Sequence, residues 1–157
     1  MNINIVKAQK SDFDGVNAIV KEGHDEHANA LPHVFKQVEE VMPYSYFCEL
    51  LDDPTSDILI AKINEEIVGF AVMEVMESPS FESMIPRKFA YMNDFGVKGA
   101  YQRNGFGIQL FQACIEWAKN KNVQHLELNV WEFNEKAISF YDKFGMKSVS
   151  RKMSMPI

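Results

Sequence analysis

The residues best suited to chemistry are gathered in one run: Val97, Lys98, Gly99, Ala100, Tyr101, Gln102, Arg103, Asn104, Gly105, Phe106 and Gly107. This run joins Phe89–Val97, rich in β-formers, to a segment where Leu110, Phe111, Cys114, Ile115 and Ala118 recur on one helical face. A glycine-rich turn between strand and helix aims several backbone N–H groups at one spot, where the helix dipole favours negative charge. Its natural ligand is a phosphate or pyrophosphate. Two carriers compete, a dinucleotide on a Rossmann unit and a coenzyme with a shorter pyrophosphate grip. Glu127, about twenty residues beyond Gly107, would suit the ribose-binding acid of the first. Against it, Leu110 replaces the third glycine, the strand ends well before Gly105, and too little chain follows for a second half-sheet. No GKS or GKT follows, so the turn is not a Walker loop.

The elements that must position this turn are legible from periodicity. Asn2–Val6 alternates as a short strand. Ser11, followed three residues later by Asp14, predicts a capped helix to about Gly23. His24–Glu40 is a polar arm broken by Pro32, and Pro43 interrupts again before Tyr44–Leu51 resumes helical spacing. Asp57–Lys62 and Ile67–Glu77 read as a hairpin about Asn64, Glu65 and Glu66, with Ser78–Pro86 a loop before the third strand, Phe89–Val97. After the turn come a helix to about Lys121, a strand over Gln124–Trp131, a helix over Asn134–Phe144 closed by Gly145, and a last strand over Lys147–Met155. The fold class is α/β (α+β). A mixed sheet of about six to seven strands flanked by helices accounts for this order, an antiparallel meander preceding a crossover unit in a single domain over residues 1–157.

Gln102–Gly107, QRNGFG, resembles the QxxGxG/A acyl-CoA signature of the GNAT superfamily of N-acetyltransferases, with Val97 ending the preceding strand. Asn134, Ala137, Phe140, Tyr141, Gly145 and Met146 resemble that family's NxxAxxFYxxxGF pattern, Met146 standing for the usual aromatic. A further likeness, to bacterial members, rests on His27, Pro32 and Phe35, on Met92, Asn93 and Asp94, and on Glu127–Asn134. The resemblance implies acetyl-CoA as co-substrate and a central strand ending near Val97 that splays from the strand after Gln124, with pantetheine in the gap. It implies main-chain pairing of Phe95, Gly96 and Val97 with the pantetheine amides, like an added strand. It gives the pyrophosphate the backbone N–H groups of Arg103, Asn104, Gly105, Phe106 and Gly107, counts Gln102 among the coenzyme-binding residues, and gives the coenzyme a side-chain hydrogen bond from Asn134.

Acetyl transfer to an amine needs a proton acceptor, because an alkylamine with a pKa of about 10 is mostly protonated at neutral pH. It also needs a donor to the departing thiolate. By resemblance Tyr141 is that donor and touches the coenzyme. Asp94, Glu74 on the neighbouring strand, or a water chain is the base. His27, Phe35 and Glu127 are candidates for the acceptor pocket. The reaction expected is transfer to a primary amine of a small molecule in a ternary complex. The alternatives are a protein or peptide amino group, and a regulatory module that binds acyl-CoA without turnover.

Composition bounds the partners. A formal net charge of −6 argues against nonspecific nucleic-acid binding and weakly favours a cationic acceptor. No apolar run is long enough to span a bilayer, and Asn2–Ile5 has no basic leader region, so a cytoplasmic protein without membrane contact is expected. No metal is expected: His24 and His27 have no interpretable third and fourth ligand, and Cys48 and Cys114 lack zinc or redox spacing. Cys114 reads as a small buried hydrophobe. A homodimer is allowed by the resemblance.

Overall fold

A computed structural model describes residues 2–157. Strand β1 (Ile3–Lys7) leads through a 3₁₀ turn at Lys10–Asp12 into helix α1 (Phe13–Ala30). Helix α2 (Tyr44–Asp52) is followed by the meander β2 (Ser56–Ile63), β3 (Glu66–Glu77) and β4 (Lys88–Val97), then α3 (Phe106–Asn120), β5 (Leu126–Leu128) and α4 (Glu135–Lys143). The sheet order is β1-β2-β3-β4-β5, antiparallel except for the parallel β4–β5 pair. Two apolar layers sandwich it. Leu110, Phe111, Cys114 and Trp117 of α3 pack on Leu59, Ala61, Ala71, Met73, Ala90 and Met92, joined by Phe140, Tyr141 and Phe144 of α4. On the opposite face Val16, Ile19 and Val20 of α1 and Phe47 and Leu50 of α2 cover Ile58, Ile60, Phe70 and Val72. The alternation of odd and even positions in β2 and β3 divides the layers.

Most elements match the expectation, and the departures have physical causes. Helix α1 runs through Gly23 to Ala30: one interior glycine costs only about 1 kcal/mol, and the last turns carry a Lys21–Asp25 ion pair at 3.0 Å. Ser11 does not cap it: the chain enters through the 3₁₀ turn, which Asp12 closes by accepting the Gln9 N–H on its Oδ2 at 2.8 Å. The sheet has five strands among the described residues rather than six to seven. Lys147–Met155 forms none: alternation alone does not make a strand without a neighbour to bond. The strand expected over Gln124–Trp131 is realised only at Leu126–Leu128, because β4 parts from it after Met92.

Candidate active site

The parting of β4 from β5 creates the site. The ladder runs Ala90↔Leu126, Tyr91↔Glu127, Met92↔Leu128 and stops, although β4 continues to Val97. A bulge falls at the same place. Val72 faces Asp94 and Met73 faces Met92, so Asn93 is the extra residue. One inserted residue reverses the parity of everything after it. Before it Ala90 and Met92 face α3; after it Phe95 does, edge-on to Phe111 at 5.9 Å and tilted against Phe140 at 5.7 Å between centroids. Gly96 then turns toward Ile19 and Phe70 on the α1 side, where an added Cβ would lie 3.0 Å from the Phe70 ring. The resulting cleft, about 580 Å³, is lined by Asp94–Val97, the turn before α3, Leu128–Trp131 and α4.

The turn before α3 presents a row of unused donors. Gly105 (φ 79°) and Arg103 (φ 65°) adopt left-handed backbone, which bends the chain into the helix. The first intrahelical acceptor is Gly105 O, bonded by Gln109 N at 3.2 Å. The N–H groups of Arg103 through Ile108 therefore find no protein acceptor among the described residues. The side chains brace the turn. Gln102 Nε2 donates to Val97 O at 2.9 Å, Asn104 Nδ2 to Tyr101 O and Gln102 O at 3.2 Å, and Glu22 Oε1 of α1 accepts Gly99 N–H at 2.7 Å. Lys136 donates to Gln102 Oε1. Arg103 and Lys143 line the cleft without a carboxylate partner among the described residues, leaving positive charge beside the free N–H groups. Phe106 is buried in the core, so only its backbone can serve a ligand.

Three distant segments converge on the other side of the opening. Asp94 comes from β4, Tyr141 from α4 and His27 from α1, and all line the cleft. Water reaches Asp94 through the cleft mouth, while the protein crowded around it raises its pKa above the usual carboxylate value. The Phe95 N–H, 2.9 Å from its Oδ1, and the neighbouring His27 act in the opposite direction. Burial, with the Asp94 charge nearby, pushes the Tyr141 hydroxyl up to about 12. His27 Nδ1 lies 2.8 Å from Gly23 O, the carbonyl one turn back, so this nitrogen donates to it and the ring is held with Nε2 directed away from that carbonyl. An aromatic wall surrounds it: Phe133 stands edge-on to His27 at 5.0 Å, Phe35 at 5.8 Å, and Trp131 to Phe35 at 5.6 Å.

Of the remaining sequence candidates, Asn134 caps α4, its Oδ1 accepting Ala137 N–H at 3.2 Å while its Nδ2 is free to face the cleft. Glu74 and Glu127 are not among the cleft residues. Both face a neighbouring groove, where Glu74 accepts from Asn93 Nδ2 at 3.0 Å and Glu127 pairs with Arg87 at 2.8 Å. Sequence reasoning missed Glu22, Lys136 and Lys143, and also Tyr46 of α2, whose hydroxyl pKa is raised by burial and then by Glu74 and Asp94. Their roles come from docking of whole helices, which leaves no local signal. Cys114 is buried, its thiol pushed up to about 12, and takes no part. No cluster of three metal-ligating side chains occurs among the described residues.

Comparison with known proteins gives the same fold and family. A mutant of the BH1408 protein from Bacillus halodurans superposes with a TM-score of 0.94 at 26% identity, covering 98% of this chain and 99% of that one. An N-alpha-acetyltransferase of Sulfurisphaera tokodaii is 29% identical over 113 residues, 70% of this chain and 68% of that protein. The L-ornithine N5-acetyltransferase NATA1 of Arabidopsis thaliana is 31% identical over 97 residues, 60% of this chain and 41% of its own length. The Acetyltransferase (GNAT) family matches residues 24–146, which contain most of the cleft lining, the free N–H turn and the Asn134–Met146 segment. With most of the chain matched, this protein belongs to the GNAT acetyltransferase family.

Proposed function

We propose that the protein is an acetyl-CoA-dependent N-acetyltransferase that acetylates a primary amine of a small molecule by direct attack in a ternary complex. One observation carries the reading: the unpaired N–H groups of Arg103–Ile108 open into a cleft that also holds Asp94 and Tyr141. A pyrophosphate satisfies those donors at the helix N-terminus, with Arg103 and Lys143 adding charge. Phe95–Val97, freed from β5, offers its backbone to an amide-bearing arm as a neighbouring strand would. Asn134 Nδ2 adds a side-chain donor.

Asp94 takes the proton of the incoming ammonium, directly or through a water, and its raised pKa makes it a better base than an ordinary carboxylate. Tyr141 serves the departing sulfur. Its pKa of about 12 lies about 3 units above that of an ordinary thiol, so full proton transfer would be uphill by roughly 4–5 kcal/mol. Tyr141 therefore stabilises the thiolate chiefly by hydrogen bonding. His27 and Trp131 line the cleft and are backed by Phe35 and Phe133, which do not line it; the two lining rings receive the acceptor and together with Asp94 favour a cation. The name of the archaeal relative supports a second reading, a peptide α-amino group as acceptor.

Calorimetry with acetyl-CoA followed by thiol release across panels of small amines and peptides tests the proposal. Binding and amine-dependent release are expected. Lack of acetyl-CoA binding overturns the coenzyme reading, release with peptides alone selects the second acceptor class, and binding without release leaves a regulatory module.

A further inference from the structure

Two glycines let the segment from β4 into the turn run hard against α1. A Cβ added at Gly96 would lie 3.2 Å from Ile19 Cγ2, and one added at Gly99 only 2.5 Å from Glu22 Oε1. Ile19 and Glu22 stand three residues apart, so they share one face of the helix, and Ile19 is buried against the sheet. Glu22 therefore leaves the apolar layer and meets the backbone where the chain turns toward α3. Its Oε1 accepts the Gly99 N–H at 2.7 Å. Gly99 opens the 3₁₀ turn Gly99–Tyr101, where a backbone donor has no acceptor within the turn itself. Among the described residues no other hydrogen bond joins α1 to Lys98–Ile108.

The other anchors of the turn act differently. Glu66 of β3 accepts from Lys98 Nζ at 2.8 Å and from the Tyr101 hydroxyl at 2.6 Å, so it grips the ends of flexible side chains. Glu22 grips the main chain, just upstream of the free N–H groups that begin at Arg103. It also lines the cleft beside Arg103. A carboxylate on the wall of a site for a pyrophosphate repels that ligand. Lys98, the nearby cation, is paired with Glu66 at 2.8 Å rather than with Glu22. The Glu22 charge thus works against the ligand, while its oxygen fixes the direction of the turn.

We infer that Glu22 is a positioning residue for the coenzyme: acting through Gly99, it aims the N–H groups of Arg103–Ile108 before a pyrophosphate arrives, and it does so as an acceptor atom rather than as a charge. This rests on the coenzyme reading proposed above. Calorimetry and steady-state kinetics with acetyl-CoA on Glu22→Ala, Glu22→Gln, Gly99→Ala and the Glu22→Ala, Gly99→Ala double variant test it, with circular dichroism reporting the fold. Glu22→Ala is expected to raise Kd and KM for acetyl-CoA about 5–20-fold while kcat stays within about twofold. Glu22→Gln keeps an acceptor and removes the repulsion, so wild-type affinity or better is expected. Gly99→Ala pushes the carboxylate aside and is expected to match Glu22→Ala, with the double variant no weaker than either single one. Glu22→Gln as weak as Glu22→Ala overturns the inference, as do additive losses in the double variant. A fall in kcat with KM unchanged in Glu22→Ala overturns it too, for that marks fewer folded molecules. Wild-type protein that fails to bind acetyl-CoA overturns the coenzyme reading and this inference with it, whereas unchanged affinity in Glu22→Ala overturns this inference alone.

Discussion

At the scale of single residues, Asp94 and Tyr141 divide the proton work, and each division has a measurable sign. Replacing Tyr141 by Phe removes one hydrogen bond to a developing thiolate, worth about 1.5–3 kcal/mol. Steady-state kinetics are expected to show kcat reduced by about 10–100-fold with KM for acetyl-CoA little changed. Undiminished turnover would remove Tyr141 from the reaction. For Asp94 the folded-state pKa is raised, so the native protein binds that proton more tightly than the unfolded chain does. Its contribution to stability is fully present below the usual carboxylate pKa of about 3.9 and is lost as pH rises through the higher folded value. Asp94→Asn keeps an acceptor for the Phe95 N–H and is therefore expected to raise Tm at neutral pH, the gain fading as pH falls toward 4. The same variant should lose about 10²–10⁴-fold in kcat/KM. A variant that gains no stability at neutral pH would mean the carboxylate carries no cost there.

At the scale of elements, the junction of β4, the turn and α3 is where backbone conformation becomes binding. Gly105 has φ 79° and open space around the position a Cβ would occupy, whereas Gly107 has ordinary contacts with Phe140 at 3.5 Å and Val97 at 3.6 Å. The two glycines thus separate strain from ligand approach. Gly105→Ala is expected to lower stability by about 1–2 kcal/mol in urea unfolding, because an L side chain is forced into left-handed backbone. Gly107→Ala leaves stability unchanged within about 0.5 kcal/mol, yet weakens acetyl-CoA binding in calorimetry, its methyl crowding the row of free N–H groups. Unchanged affinity in Gly107→Ala would place the pyrophosphate elsewhere. This junction was well legible in the sequence, since glycines and a run of β-formers are local signals. The bulge at Asn93 was not. It depends on how Val72 and Met73 register against β4, a property of two strands at once.

At the scale of the whole molecule, the two apolar layers carry different duties. Phe111 lies in the α3 layer among Phe95, Phe140, Tyr141 and Phe144, with a 4.3 Å centroid separation from Phe144, so it ties α4 to the sheet. Phe47 is equally buried in the α2 layer, on the opposite face and packed edge-on to Phe13. Truncating either to Ala is expected to cost about 3–5 kcal/mol by urea unfolding. Only Phe111→Ala should also weaken acetyl-CoA binding to the folded fraction, since it loosens the helix bearing Asn134 and Tyr141. Equal loss of affinity in both variants would show that the layers are not separable. The sequence by itself determined the turn that presents free N–H groups, the helix α4 that follows Asn134 and the meander before them, because each is written in contiguous spacing. Only the tertiary structure decided that β4 leaves β5 after Met92, that Asp94, Tyr141 and His27 meet across three elements, and that Glu74 and Glu127 face another groove. The physical reason is that spacing reports which face a side chain shares with its neighbours along the chain. Which faces meet is set by long-range packing, and a single bulged residue reverses it.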